Sequence, residues 1–306
     1  MMQPTNRASP VLSILVPAYN YAPGVLQIVT PLLKEGRSDL EILVHDDSND
    51  DNVESAVRGL LPSNANLHYV RNRLVHGAID NWNGLLAAAH GRYVLLIHHD
   101  DFQLSENFAS NLIDELEGMA WPDAILLTCI AHDVVHDRLR LGVCNSLRQL
   151  IVRKWPAYLL RRNVIGPPAA LVARREIFTP FDRQLKWLVD VDAYYRFLVA
   201  NNRRIGFSRL IMVSSSGLPG AITTSIQNEK SNIRNAELTY ITNKLLPSWF
   251  WKVLRGESLA ARLALNMEWL LWAAIKVVSA ICGIFVRPHV SLTDVKNRRT
   301  HDMEGA

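Results

Sequence analysis

The chain has 306 residues, 49% of them hydrophobic, and a formal charge of only +4. That is enough apolar material for one large α/β domain or two smaller ones, and too mild a basic excess for a nucleic-acid surface. Its three cysteines, Cys129, Cys144 and Cys282, follow no paired spacing, which argues against a disulfide framework or a thiolate zinc site and suits a reducing compartment. The opening MMQPTNRASP is polar and lacks the apolar core of a secretory leader.

Residues 11–16 (VLSILV) form a short apolar run stopped by Pro17, which predicts a buried strand. Residues 40–44 (LEILV), 67–70 and 93–97 (YVLLI) predict three more. Between them, residues 25–34, 53–60 and 81–89 predict helices. Alternation of this kind implies a mostly parallel sheet with helices on both faces. Ser105 is then placed to cap a helix in which Phe108, Leu112, Ile113 and Leu116 share one face. Residues 124–130 and 169–173 predict further strands, and residues 190–199 (DVDAYYRFLV) another helix. The stretch 214–229 is rich in Ser, Gly, Thr and Asn and predicts a loop. From Ala236 onward the pattern is helical and apolar. One α/β domain over residues 1–233 followed by a helical C-terminal extension over 234–306 is the expected organisation.

In open parallel sheets, ligands bind beyond the carboxyl ends of the strands. The first strand ends in Pro17-Ala18-Tyr19-Asn20, the second in His45-Asp46-Asp47-Ser48 and the fourth in His98-His99-Asp100-Asp101. Three strands delivering hydrogen-bonding or acidic groups to one edge mark a candidate site. Each group also has a plainer use: Asn20 in a turn, Asp50 or Asp51 as a helix cap, Asp100 and Asp101 as the start of a loop.

The ordered segments "SILVPAYN", "LEILVHDDSNDD", "NWNGLLAAAHGRYVLLIHHDD" and "LVDVDAYYRF" together resemble the family 2 glycosyltransferases with the GT-A (Rossmann-like) fold. The resemblance covers about the first 230 residues. It implies an inverting transfer of sugar from a nucleotide-diphosphate donor, with a divalent metal, Mn²⁺ or Mg²⁺, as cofactor. By that resemblance Pro17, Ala18, Tyr19 and Asn20 lie against the nucleotide, and Asp47 with Asp46 accepts from the base N–H. Asp100 and Asp101 match the end of the acidic metal motif, and oxygen ligands suit a hard cation that neutralises a leaving diphosphate. Asp100 also stands with the donor-binding residues. His98 departs from the pattern, standing where an acid is common. It is a candidate ligand suited better to Mn²⁺ than Mg²⁺, or a group that contacts phosphate or water.

Asp190 matches the family's general base, with Asp192 as the competing assignment and a simple helix cap as the plain alternative. Where relatives carry a His in the loop over the diphosphate, this chain has Leu218, leaving Arg204, Arg209 or Lys230 as substitutes. The resemblance further implies a glycan or lipid-linked acceptor and work on cell-surface polysaccharide at the cytoplasmic face of the membrane. Residues 269–286 (WLLWAAIKVVSAICGIFV) give that expectation a physical counterpart. They are apolar apart from Lys276, flanked by tryptophans and followed by basic residues, and suit a membrane surface or a buried or dimerising helix. Two other readings are a nucleotide-sugar-binding module without catalysis and a nucleotidyltransferase. The second more often carries a Gly-rich phosphate loop, for which this chain offers only Gly24.

Overall fold

The computed structural model describes residues 9–72, 77–141, 145–200, 203–216, 229–245, 291, 293–295 and 297. The apolar segment 269–286 and Leu218 lie outside the described residues.

The sheet begins as the apolar runs require. Strand β1 (Leu12–Ala18) pairs in parallel with β2 (Leu40–Asp46) and β4 (Tyr93–Leu96), and β2 pairs in parallel with β3 (Leu67–Arg71). Because side chains alternate along a strand, Leu12, Ile14 and Val16 of β1 face one layer and Leu15 the other. The first layer is built from α1 (Ala22–Lys34), α2 (Asn52–Arg58) and α4 (Phe108–Gly118). The second is built from α3 (Ala78–Ala88), α5 (Asn145–Lys154), α6 (Tyr158–Arg161) and α7 (Val189–Val199). A sheet buried on both faces needs the continuous apolar strands that the sequence supplies.

Beyond β4 the sheet changes character. Its order is β3-β2-β1-β4-β8-β6-β9-β5, with β7 (Arg138–Leu141) paired to the far half of β6 (Ala124–Asp133). Strand β8 (Leu171–Arg174) is antiparallel to both β4 and β6, whereas β9 (Ile205–Ser216) runs parallel to β6. The three-residue β5 (Asp101–Gln103) pairs antiparallel with β9. Strands β5, β7 and β9 and helices α5 and α6 were not anticipated by the apolar pattern. β5 is too short and too polar at its start, and residues 214–216 of β9 continue a strand into the expected loop.

Two carboxylates cap helices from far away in sequence. Ser105 does not cap α4; its Oγ accepts from the Ile211 N–H at 3.3 Å. The first N–H groups of α4 are taken instead by Glu35, whose oxygens lie 3.0 Å from Ala109 N and 2.8 Å from Ser110 N. Helix α8 (Lys230–Leu245) supplies the second cap. Its buried Glu237 accepts from the N–H groups of Lys186, Trp187 and Leu188 at 2.6, 3.1 and 2.8 Å, where the chain enters α7. Anionic oxygens on a helix N-terminus satisfy donors that have no partner within the helix. Helix α8 begins at Lys230 and adds Leu238 and Ile241 to the core, so it is part of the α/β body and the expected boundary at residue 233 falls inside it.

Glu237→Ala should therefore leave three backbone donors without this acceptor, the Leu188 N–H among them buried, and cost about 1–3 kcal/mol in chemical unfolding, a loss that denaturant titration measures directly.

Candidate active site

The turn after β4 holds the acidic motif. The Asp101 N–H donates to the His98 carbonyl at 2.8 Å, and the next residues pair with β9 (Asp101 opposite Ser214). The Ser215 N–H in turn donates to the Asp100 carbonyl at 3.1 Å. Helix α1 passes so close behind that a Cβ on Gly24 would lie 1.9 Å from the His99 carbonyl oxygen. Gly24 is thus required for backbone approach to this turn rather than for a phosphate loop.

His98, Asp100 and Asp101 offer ligand atoms that all lie within 4.8 Å of one another. His98 Nδ1 is 3.6 Å from Asp101 Oδ2, beyond a good hydrogen bond. His98 Nε2 and Asp101 Oδ2 are buried and have no hydrogen-bond partner. Buried polar atoms are rarely left this way, and an acceptor-rich imidazole-carboxylate set is a donor set for a Mn²⁺-like cation. The residues present therefore fit a divalent metal. Burial opposes the positive charge of His98, but Asp101, Asp100 and Asp190 outweigh it and hold the imidazole pKa above its ordinary value. Trp82 of α3 forms the wall behind, its ring 4.5 Å from that of His98.

Asp190 and Asp192, two residues apart on α7, have different surroundings. Asp192 is 0% exposed and is held by Arg196, at 2.7 and 2.8 Å, with Lys244 at 3.8 Å. Asp190 is half-buried and accepts from Asn163 Nδ2 at 2.7 Å and from the Val191 N–H at 2.8 Å. Burial pushes its carboxyl pKa up to about 6, against those hydrogen bonds and the attraction of His98. Because Glu237 already caps α7, Asp190 is not the helix cap. Asn163 itself is fixed by accepting from the Ile165 and Gly166 N–H groups, both at 3.0 Å. Gly166 adopts φ +116°, and a Cβ there would press on Ala170 and Cys129. Burial pushes the Cys129 thiol up to about 12, so it stays protonated beside Gly166.

The nucleotide-side residues separate into surface and support. Pro17 and Ala18 are buried, and the Ala18 carbonyl accepts from the Asp47 N–H at 3.0 Å. Tyr19 and Asn20 are exposed; Asn20, at φ 51°, ties the β1 loop to the β2 loop through Ser48 Oγ (2.7 Å) and the Asn49 N–H (2.8 Å). Asp46 does not reach the surface: it is 0% exposed, and its oxygens accept from the Ser48 N–H (2.9 Å) and Tyr69 OH (2.7 Å). Asp47 accepts from Asn72 Nδ2 (2.5 Å) and the Gly77 N–H (2.9 Å) at the start of α3. Sequence reasoning missed Trp82, Asn163 and Glu237. Their signals are contacts to residues 16 or more positions away, which periodicity does not carry.

Residues 13–142 match the family model described as glycosyl transferase family 2. Over that segment the chain is similar to the family 2 glycosyl transferases. Among curated proteins, the chain is 27% identical over 206 residues to an uncharacterised protein of Mycobacterium tuberculosis, covering 63% of this chain and 64% of that one. It is 30% identical over 112 residues to the GalNAc(5)-diNAcBac-PP-undecaprenol beta-1,3-glucosyltransferase of Campylobacter jejuni, covering 36% of each chain. The chain thus matches less than two thirds of the length of either relative. Among solved structures, S. aureus TarS in complex with UDP-GlcNAc superposes with a TM-score of 0.53 at 16% identity, covering 77% of this chain and 73% of that one. The mannosyltransferase PcManGT from Pyrobaculum calidifontis, in complex with GDP-Man and Mn²⁺, superposes with a TM-score of 0.50 at 16% identity over 98% and 90%. At such identities the likeness is one of fold: the GT-A glycosyltransferase fold.

Gly24→Ala should displace the His98–Asp101 turn, at a cost of about 1–3 kcal/mol in stability. Mn²⁺ titration followed by calorimetry should show weaker binding than in the parent chain.

Proposed function

We propose that the chain is an inverting glycosyltransferase that moves a sugar from a nucleotide-diphosphate donor to a hydroxyl of a glycan or lipid-linked acceptor. The observation that carries this reading is Asp190, a half-buried carboxylate with its pKa pushed up to about 6, electrostatically coupled to the His98–Asp100–Asp101 cluster. A base and a cation-ready acidic turn beside one cleft are the two parts that a single displacement needs. The TarS and PcManGT complexes with UDP-GlcNAc and with GDP-Man and Mn²⁺ support a nucleotide-sugar donor. The Campylobacter relative, whose name specifies an undecaprenol-linked acceptor, supports a lipid-linked one. Cell-surface polysaccharide synthesis at the inner face of the membrane is the setting that fits such an acceptor. Among the described residues no helix is long and apolar enough to cross a membrane.

In this reading Tyr19, Asn20 and Asp47 frame the nucleotide, and Pro17, Ala18 and Asp46 hold the loops that carry them. His98, Asp100 and Asp101 would hold Mn²⁺ or Mg²⁺, which when bound neutralises the diphosphate oxygens. Asp190 accepts the proton of the acceptor hydroxyl as that oxygen bonds to the sugar C1, and the C1–diphosphate bond breaks on the opposite face. Asn163 and the Val191 N–H orient the accepting carboxylate. A base with pKa near the working pH is efficient because it is ionised yet still basic.

Asp190→Asn should lower transfer by roughly 10²–10⁴-fold while leaving donor binding nearly intact, measured by product formation and donor titration in parallel. Wild-type transfer should fall as pH drops below about 6, where Asp190 takes up its proton. For stability the sign is opposite to that of a salt-bridged acid. The folded pKa lies above the ordinary value of 3.8, so Asp190 weakens the fold as pH rises from about 4 to about 6. Asp190→Asn should consequently melt no earlier than wild type at neutral pH. Full transfer activity in that variant would remove Asp190 from the base role.

Asp101→Ala should raise the Mn²⁺ concentration needed for donor binding and for nucleoside diphosphate release. Unchanged metal dependence would place the cation elsewhere.

A further inference from the structure

Helix α3 carries three consecutive side chains, Asn81, Trp82 and Asn83, to which the proposed chemistry gives no direct part. Side chains one residue apart on a helix diverge by about 100°, so three in a row reach three different neighbours. Asn81 and Trp82 are buried and Asn83 is half-buried, and each ends on a different part of the candidate site. Asn81 Nδ2 donates to the His45 carbonyl at 3.1 Å, just before Asp46 and Asp47. Its Oδ1 accepts from Asn72 Nδ2 at 3.4 Å, the same amide that donates to Asp47. Trp82 lies against the ring of His98.

Asn83 reaches the third part. Its Oδ1 accepts from the Phe181 N–H at 2.8 Å and its Nδ2 donates to the Phe181 carbonyl at 3.0 Å, across 98 positions of the chain. A carboxamide carries an acceptor and a donor side by side, the complement of one residue's backbone, so this pairing fixes both the position and the orientation of Phe181. Beside it Asp80 pairs with Arg183, and the Phe181 ring meets Trp82 edge-on at 5.3 Å. Residues 181–188 lead into α7; Asp182 among them is held by Tyr240 OH at 2.8 Å, and Glu237 caps their far end. The approach to Asp190 is thus anchored on the same helix that backs His98.

We propose that Asn81 and Asn83 are positioning residues with divided roles: Asn81 sets the loops that frame the nucleotide, and Asn83 sets the spacing between the acidic turn and Asp190. Each acts through the backbone it holds, His45 for one and Phe181 for the other, with Trp82 as the fixed point between them. A displacement needs the attacking oxygen and the leaving diphosphate in line, and a misplacement of about 1 Å can cost roughly 100-fold in rate. Loss of Asn83 should therefore show in turnover, and loss of Asn81 in nucleotide affinity. The kinetic roles rest on Asp190 being the base and on the β1 and β2 loops taking the nucleotide; the two clamps do not.

The test compares Asn81→Ala and Asn83→Ala in the full chain, by hydrogen exchange, by titration of UDP and GDP with Mn²⁺ present, and by transfer from a panel of UDP- and GDP-sugars. In Asn83→Ala, residues 181–191 should exchange faster with the β2 loop unchanged, kcat should fall roughly 100-fold, and nucleotide Kd should stay close to that of the parent. In Asn81→Ala the β2 loop should exchange faster and nucleotide Kd should rise by roughly tenfold, with kcat at saturating donor close to that of the parent. Asn83→Asp keeps the acceptor for the Phe181 N–H and loses the donor to its carbonyl, so its kcat should fall between Asn83→Ala and the parent; it carries the test if the alanine chain does not fold. The same kinetic signature in both alanine variants, following only their loss of stability, would overturn the division of roles. Parent-like kcat in Asn83→Ala, with Asp190→Asn inactive, would remove the role of Asn83 alone. Full transfer in Asp190→Asn would instead remove the base and leave the exchange results to judge the clamps.

Discussion

The candidate site depends on one short turn, the hydrogen bond from the Asp101 N–H to the His98 carbonyl where β4 stops. It places two adjacent carboxylates beside a histidine, an arrangement that costs electrostatic energy unless positive charge is present. Three neighbours hold it in place: α1, which approaches through Gly24; β9, which pairs with Asp101; and Trp82, which backs His98. The turn is braced by backbone and aromatic packing, so its ligand atoms are spared from holding it together. That is why His98 Nε2 and Asp101 Oδ2 remain without hydrogen-bond partners.

The carboxylates sort by how fully they are satisfied. Glu41 is buried between Ser13 and His90; burial alone would raise its pKa, but those hydrogen bonds hold it below the ordinary value. Asp46, Asp192, Glu35 and Glu237 are similarly engaged with donors of the protein's own loops and helices. Such groups fix geometry and are poor candidates for chemistry. Asp190 differs because burial outweighs its two hydrogen bonds, leaving a carboxylate whose affinity for a proton is raised. Two aspartates separated by one residue on the same helix thus have different surroundings, set by Arg196 and Lys244 on one side and Asn163 on the other.

The parallel half of the sheet was legible in the sequence because each strand is a compact apolar run ending in polar residues. The acidic turn and Asp190 were legible from their place in an ordered set of motifs. What was hidden depends on distance in the chain. Ser105 has the chemistry of a cap, but Glu35, 74 residues before Ala109, occupies the helix end first. Asp46 and Asp47 look equivalent in "HDDS"; the fold buries both but gives them different partners, Tyr69 and Ser48 for the first, Asn72 and Gly77 for the second. Strands β5 and β9 escaped notice because neither has a strong periodic signal: β9 is held by β6 and β5 by β9.

The same logic reassigns the C-terminal part of the chain. Helix α8 sends Glu237 under the start of α7 and Lys244 toward Asp182 and Asp192, so the helix carrying Asp190 is pinned from outside the matched family segment. Val295, fully buried, packs with Phe102 of β5 and Val213 of β9, directly behind the strand pair that begins at Asp101. Residues late in the sequence thus brace both halves of the candidate site, the acidic turn and Asp190. The sheet formed by the first hundred residues would by itself leave Asp190 and β5 without support. Relative placement of the acidic turn and Asp190 is therefore a property of the chain through Val295.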